Sequence, residues 1–315
     1  MNIFLLNSEF EAIDIIDEFQ SFIWSDRFCE VGDFELYISI DSKKVNQIDL
    51  DLYIYMDESE KLMIVDSMTT QIDPEQGIYW IVTGESLETL LKRRIVWGKT
   101  TISGNFQNAI KKLINNAIIS PSNSSRKIPN FIFKTSSDSK ITSLTIDDPL
   151  EYNGEDLYTV ITELCSDKKI GYKITLDSNH NFVFELCSGI DRSYNQEENP
   201  YVIFSPRYDN LFNSNYLKSS KEYKNVALAY ASQGDSQISA SVGSASGLAR
   251  REIAVSTSVD QDTSNKTAVL KQKANEELAD HKIQKKFEGE VDSTMLYVYG
   301  RDYFLGDIVQ SLRPM

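Results

Sequence analysis

Histidine occurs twice, cysteine three times and proline seven times among 315 residues. Each scarcity closes off a class of explanation. Catalytic triads and thiol dyads need a base, which is most often histidine. Of the two, His180 falls in a turn-like stretch, Asp177-Ser178-Asn179-His180-Asn181, and His281 falls late in a charged helix. Neither stands near a Gly-x-Ser-x-Gly nucleophile motif, so both read as surface or helix-end residues. Cys29, Cys165 and Cys187 are odd in number and far apart along the chain. They lack Cys-x-x-Cys or His-x-x-x-His spacing, which argues against a disulfide framework and a zinc site. They read as small buried hydrophobes. Sixteen tyrosines and fifteen phenylalanines against seven prolines suit a sheet-rich interior.

Basic charge is also short. Formal net charge is −15 and the longest basic run is Lys92-Arg93-Arg94, which reads as a solvated helix end. Dedicated nucleic-acid binding needs clustered Lys and Arg, so none is expected, although nucleic acid passing without being held is compatible with this balance. No apolar stretch approaches the ~20 residues that span a bilayer, so no membrane anchor is expected. The opening Met1-Asn2-Ile3-Phe4-Leu5-Leu6 lacks a basic region and reads as a first strand, not a signal peptide. Gly98-Lys99-Thr100 resembles the end of a phosphate loop, but Arg93 stands where the earlier glycine belongs, so a polar turn is expected. Asp49 and Asp51 lack the glycine and terminal glutamate of a calcium loop. An acid/base pair of carboxylates has no local spacing to test. No catalytic, cofactor-binding or metal-ligating residue is assigned.

What is present is a succession of short strands. Residues 1–98 alternate or run β-branched at Phe10 to Ile16, Phe34 to Ile40, Leu52 to Met56, Leu62 to Val65 and Ile78 to Val82. Asp57-Glu58-Ser59-Glu60 and Asp73-Pro74-Glu75-Gln76-Gly77 supply turns, and Ser86 is placed to cap a short helix carrying Leu87, Leu90 and Leu91. That spacing predicts a barrel or sandwich. Residues 99–200 read as a small α+β unit: a helix over Asn105 to Ile119, a strand at Phe131 to Phe133, a helix over about Asp156 to Asp167, and a hairpin of Ile170 to Leu176 with Phe182 to Leu186. Strands return in 201–315, at Tyr201 to Ser205, Asn225 to Tyr230, Arg250 to Val255, Phe287 to Val298 and Leu305 to Val309. Gly234 to Gly247 reads as a flexible loop or hairpin tip. Ser264 to Lys282 reads as a helix capped by Ser264 or Asn265, with Ala268, Ala274 and Leu278 in a narrow apolar stripe. The expected fold class is mainly β with an α+β insertion: two β-barrel domains, 1–98 and 201–315, flanking 99–200.

Several longer phrases carry a resemblance. Ser21-Phe22-Ile23-Trp24-Ser25-Asp26-Arg27-Phe28 leads on through Gly32 to Phe34-Glu35-Leu36. In order there follow Val82 to Leu87 with Leu90 to Arg94, Ile203-Phe204-Ser205 with Asp209-Asn210-Leu211, Tyr223 to Ala227, Arg250-Arg251-Glu252 and Asp302 to Val309. The order resembles the baseplate hub, or tail-associated, structural proteins of long-tailed bacteriophages and phage-tail-like particles. That resemblance implies two tail-tube-like barrels per chain, a homotrimer forming a pseudo-hexameric ring, and a middle unit that is a structural insertion. It implies contacts with tail-tube or distal tail proteins on one side and a spike or tip protein on the other. It also implies synthesis in a bacterial cytoplasm, a place in the tail, and DNA passing through a channel. Members commonly continue past the Gly306-Asp307-Ile308-Val309 phrase into fibre-binding or wall-degrading regions; with Met315 close behind, no such activity is expected here. The rival readings are a cell-wall-degrading, glycosidase-like tail enzyme and a surface or carbohydrate-binding module.

Overall fold

The computed structural model describes residues 2–73, 77–233, 236–259, 263 and 265–312. Two compact units divide it: residues 1–191 with 304–308, and residues 192–303 with 309–315. Among the described residues no helix is long and apolar enough to cross a membrane.

The first unit begins with seven strands: β1 (Ile3–Leu6), β2 (Ala12–Ile16), β3 (Ser21–Ser25), β4 (Asp33–Ser39), β5 (Tyr53–Met56), β6 (Leu62–Asp73) and β7 (Gly77–Ser86). They form one antiparallel sheet in the order β2-β1-β5-β6-β7-β4-β3. Strict alternation drives β4, whose Phe34, Leu36 and Ile38 are buried while the residues between them are half-exposed. Ile3, Leu5, Ile16, Phe34, Leu36, Ile54, Met63 and Val82 join in a single core. Six of the seven strands therefore point at one cluster, which requires the sheet to curl around it.

The curl does not close. A barrel was expected here, yet no pairing joins edge strands β2 and β3 among the described residues. They are consecutive in sequence, so the link Asp17 to Gln20 holds their near ends within ~17 Å, at ~3.4 Å per residue. A 3-10 turn, Lys43–Gln47, lies beside that seam: Lys44 Nζ donates to Asp14 Oδ1 at 2.6 Å, and Val45 enters the core. The seam is packed by side chains instead of being laced by backbone hydrogen bonds.

Both faces of β6 are used at its start, because Leu62 and Ile64 enter a second and larger core while Met63 and Val65 enter the first. The larger core is completed by a 3-10 turn, Leu87–Leu91, and by β8 (Thr100–Asn105), α1 (Phe106–Ile114), β9 (Phe131–Lys134), α2 (Ser139–Thr142), β10 (Thr145–Tyr152), α3 (Leu157–Lys168), β11 (Gly171–Leu176) and β12 (Phe182–Cys187). Strand pairs are β10-β8 and β11-β12-β9. Asn105 and Asp156 cap α1 and α3, accepting from Asn108 N and Thr159 N. The helix expected to reach Ile119 passes into a π-helical turn at Asn115–Ile119. Ser86 is not a cap: its hydroxyl accepts from Gly32 N at 2.7 Å, and Leu87–Leu91 is a 3-10 turn.

The second unit contains β13 (Ile203–Phe204), β14 (Leu211–Ser219), β15 (Val226–Gln233), β16 (Ser236–Val242), β17 (Glu252–Ser256), α4 (Lys266–Asp280), β18 (Gln284–Val291) and β19 (Gln310–Ser311). The sheet β16-β15-β17 packs one face on α4, where Ala227, Ala229 and Ala231 meet Leu270 and Ala274. Alanines on the sheet let the helix approach closely. Asn265 caps α4, and Ser264 lies outside the described residues. Ala268, expected in the apolar stripe, is exposed; Leu270, Ala274 and Leu278 form the stripe instead. Of Gly234 to Gly247, expected to be a flexible loop or hairpin tip, Ser236–Val242 forms β16, antiparallel to β15, because Ile238, Ala240 and Val242 turn inward against the helix side. Strand character expected over Phe287 to Val298 stops at Val291, and Leu305 to Val309 forms only an isolated bridge, Asp191 with Ile308.

Candidate assembly surfaces

The chemistry-bearing residues are dispersed or tied into structural pairs. His180 is exposed in the β11–β12 turn, with its ring 5.3 Å from that of Phe10. His281 closes α4 and its Nδ1 is 2.9 Å from Glu277 O. Gly98-Lys99-Thr100 is a turn leading into β8, with Lys99 paired to Glu151 at 2.8 Å. Asp51, in a left-handed backbone conformation, pairs with Arg93 at 2.9 Å. Among the described residues no group of three or more His, Cys, Asp or Glu is arranged to hold a metal.

The three cysteines meet in space, which their spacing in sequence concealed. Cys29 Sγ donates to Ile170 O at 3.0 Å, Ile170 N donates to Cys165 O, and Gly171 pairs with Cys187 across β11 and β12. All three are free thiols. Burial pushes Cys29 and Cys187 up to about 11 and holds Cys165 well above the ordinary thiol value, so the thiolate needed for attack or ligation is suppressed.

A shallow groove of about 340 Å³ gathers Asp33, Glu35, Asp66 and Glu85 on the outer side of β4, β6 and β7. All four carboxylates have partners: Asp33 with Arg27 at 3.1 Å, Glu85 with Lys92 at 2.6 Å, Asp66 with the Thr83 hydroxyl at 3.0 Å, and Glu35 with the Tyr37 hydroxyl. The Arg27 hydrogen bond holds the Asp33 carboxyl below the ordinary range, the opposite of a general acid.

Uncovered sheet is the more informative feature. Strand β2 is an edge with Ile13 and Ile15 exposed, and β3 is the other edge with Ile23 exposed. In the second unit β14 and β18 form a two-stranded antiparallel ribbon. Every residue of β18 is exposed, and so is β14 from Phe212 to Lys218. Phe212, Tyr216, Leu217, Phe287 and Val291 lie on it, uncovered. Its charge is divided, with Lys218, Lys285 and Lys286 toward one end and Glu288 and Glu290 toward the other. A lone two-stranded ribbon is marginal in water, and open edges invite pairing with another chain.

The same fold occurs in solved tail proteins. The tail protein from Neisseria meningitidis MC58 superposes with a TM-score of 0.51 at 15% identity, covering 99% of this chain and 86% of its own. The 43 kDa tail protein of prophage MuSo2 from Shewanella oneidensis gives 0.51 at 13%, covering 99% and 89%. Prophage tail protein gp18 from Listeria monocytogenes EGD-e gives 0.45 at 13%, covering 94% and 82%. No curated protein sequence matches the chain. The chain belongs to the siphovirus tail-protein family described as Siphovirus ReqiPepy6 Gp37-like protein, whose model matches residues 2–313.

Proposed function

We propose that this protein is a structural hub subunit of a phage or phage-tail-like particle, joining the tail tube to a tip or spike protein as a homotrimer. The observation that carries the reading is the β14/β18 ribbon, exposed along nearly its whole length with five large apolar side chains on it. Such a ribbon is made to be covered. In this reading 1–98 and 201–315 serve as the two barrel-like ring segments and 99–200 as an insertion between them. Three copies carry 3 × −15 = −45 charges. Packing through apolar strands pushes that charge to the rim and the channel lining, where it lets DNA slide without being held.

The role is geometric and not catalytic: the grouped thiols are suppressed, and most of the grouped carboxylates are engaged in pairs. Light scattering on the purified chain tests the reading. A species near three times 35.9 kDa, seen as a ring by electron microscopy, is expected. A lone 35.9 kDa species that stays single in the presence of tube and tip proteins overturns it. Hydrolysis of cell walls, abolished by replacing one Asp or Glu, would establish the enzyme reading in its place.

A further inference from the structure

In a chain of net charge −15, one part of the first unit gathers two arginines for which no carboxylate ion pair is formed among the described residues. It lies where the loop after the Leu87–Leu91 turn meets the short 3-10 turn at Ser124–Arg126. Arg94 Nε donates to Arg126 O at 2.9 Å and its Nη1 to Arg93 O at 2.8 Å. Arg126 Nη2 donates to Ile95 O at 2.8 Å, and its guanidinium lies 5.0 Å from the Trp97 ring centroid. Both guanidiniums are thus fixed by backbone carbonyls, and neither has a carboxylate partner among the described residues. Arg93 differs, being paired with Asp51. Burial, and then the like charges of Arg126 and Arg93, make the Arg94 cation less favourable than usual. Trp97, which Arg126 covers on one face, remains 65% exposed, and Lys127 stands exposed beside Arg126.

Holding two cations together without an anion costs free energy, and an exposed tryptophan adds to that cost. Such an arrangement persists where a ligand removes both penalties. Arg and Trp are also the side chains that dominate binding energy at protein interfaces. Each guanidinium keeps N–H groups that no protein acceptor takes, and their planar fork matches a carboxylate. We infer that Arg94, Trp97 and Arg126 form a docking patch for a carboxylate-bearing segment of a second copy of this chain. This rests on the trimer reading above. Copies that each carry −15 repel one another, so a local patch of opposite sign is what lets one approach the next in a single orientation. A polynucleotide suits the patch less well, because it presents uniform negative charge to a negative molecule and one face of the Trp97 ring is already occupied.

The test is self-association of the full chain, measured by sedimentation in 50 and 500 mM salt. Wild type is compared with Trp97→Ala, Arg126→Glu, Arg126→Lys and a distant exposed control, Lys43→Glu. Trp97→Ala and Arg126→Glu are expected to weaken association by about tenfold or more. Arg126→Lys should fall between them and wild type, Lys43→Glu should have no effect, and high salt should narrow the differences. Urea melts followed through Trp24 and Trp80 check that each variant is folded. Oligomers that are indifferent to Trp97 and Arg126 overturn the inference and leave the trimer reading intact. A wild-type chain that is monomeric at every concentration, with tube and tip proteins also present, overturns both. A labelled oligothymidylate bound by wild type and released by Arg126→Glu, with self-association unchanged, assigns the patch to nucleic acid and also overturns it.

Discussion

Removing the positive half of one buried ion pair should expose how the first unit is held together. Lys61 and Glu88 are 4% and 0% exposed, with Lys61 Nζ donating to Glu88 Oε1 at 3.0 Å. The same oxygen accepts from Ile174 N at 3.2 Å, while Glu88 Oε2 has no hydrogen-bond partner among the described residues. One carboxylate thus ties the start of β6, the Leu87–Leu91 turn and β11 together. Lys61→Met leaves that carboxylate buried and uncompensated, which costs about 3–5 kcal/mol. With a denaturant slope of about 2–3 kcal/mol per M urea for a unit this size, the midpoint should fall by about 1–2.5 M. All three tryptophans, Trp24, Trp80 and Trp97, belong to the first unit, so their fluorescence in a urea titration reports that unit selectively. Lys61→Met with Glu88→Gln should recover most of the loss, because a glutamine oxygen still accepts from Ile174 N and no charge remains. The reasoning fails if Lys61→Met lowers the midpoint no more than the exposed substitution Lys43→Met, or if adding Glu88→Gln makes matters worse.

On α4, Leu270→Asp places a charge at a 1% exposed position against Ala227 and Ala229, and should destabilise the second unit by about 3–5 kcal/mol. Leu278→Asp, at a partly buried site, should cost less; thermal melts by circular dichroism rank the two, and the reverse order contradicts the packing. Gly84→Ala should abolish soluble expression, since a Cβ there would sit 2.1 Å from Ile64 O and 2.4 Å from Phe34 Cε1. The hydrogen bonds from Asn181 hold the Asp177 carboxyl below its ordinary value, so the stability it contributes is complete above about pH 4 and is lost as pH falls through the lower folded value. Asp177→Asn should flatten that part of the acid-melting profile, and a profile unchanged by the substitution would refute the assignment.

Strands whose faces differ sharply could be read from the sequence, as in Phe34-Leu36-Ile38, and so could the helices opened by Asn105 and Asp156, because cap and period agree. Strand β16 was hidden because Ile238, Ala240 and Val242 alternate with Ser and Gln in a run that looks like linker. The barrel expectation went wrong at the seam. Strand count and spacing do not reveal whether β2 reaches β3, and the filler, Val45, lies on a 3-10 turn with no strand signal. Contacts made across long stretches of chain left no local trace: Arg94 with Arg126, and Cys29 with Ile170, are each fixed by tertiary packing. In sequence Lys92-Arg93-Arg94 reads as a solvated helix end, but its members have three different fates, set by Glu85, Asp51 and the Arg126 carbonyl.

Two of the phrases that carried the family resemblance meet in the first unit. The Phe28 ring lies where a Cβ on Gly306 would fall, 2.1 Å away, and Gly189 approaches the Gly306 carbonyl so closely that a Cβ there would be only 1.8 Å from it. Ile190 N donates to Asp307 Oδ1 at 2.7 Å. Residues 304–308 therefore finish a unit whose other residues end at Asp191, and everything between is made first. At ~5–20 residues per second of synthesis, the site around Phe28 waits on the order of ten seconds for its last piece. A ribosome product interrupted anywhere in that interval carries an unfinished first unit, with Gly189 and Phe28 bare. Completion of the first unit is thereby tied to chain length: a chain ending before Phe304 lacks the residues that pack on Phe28 and Gly189.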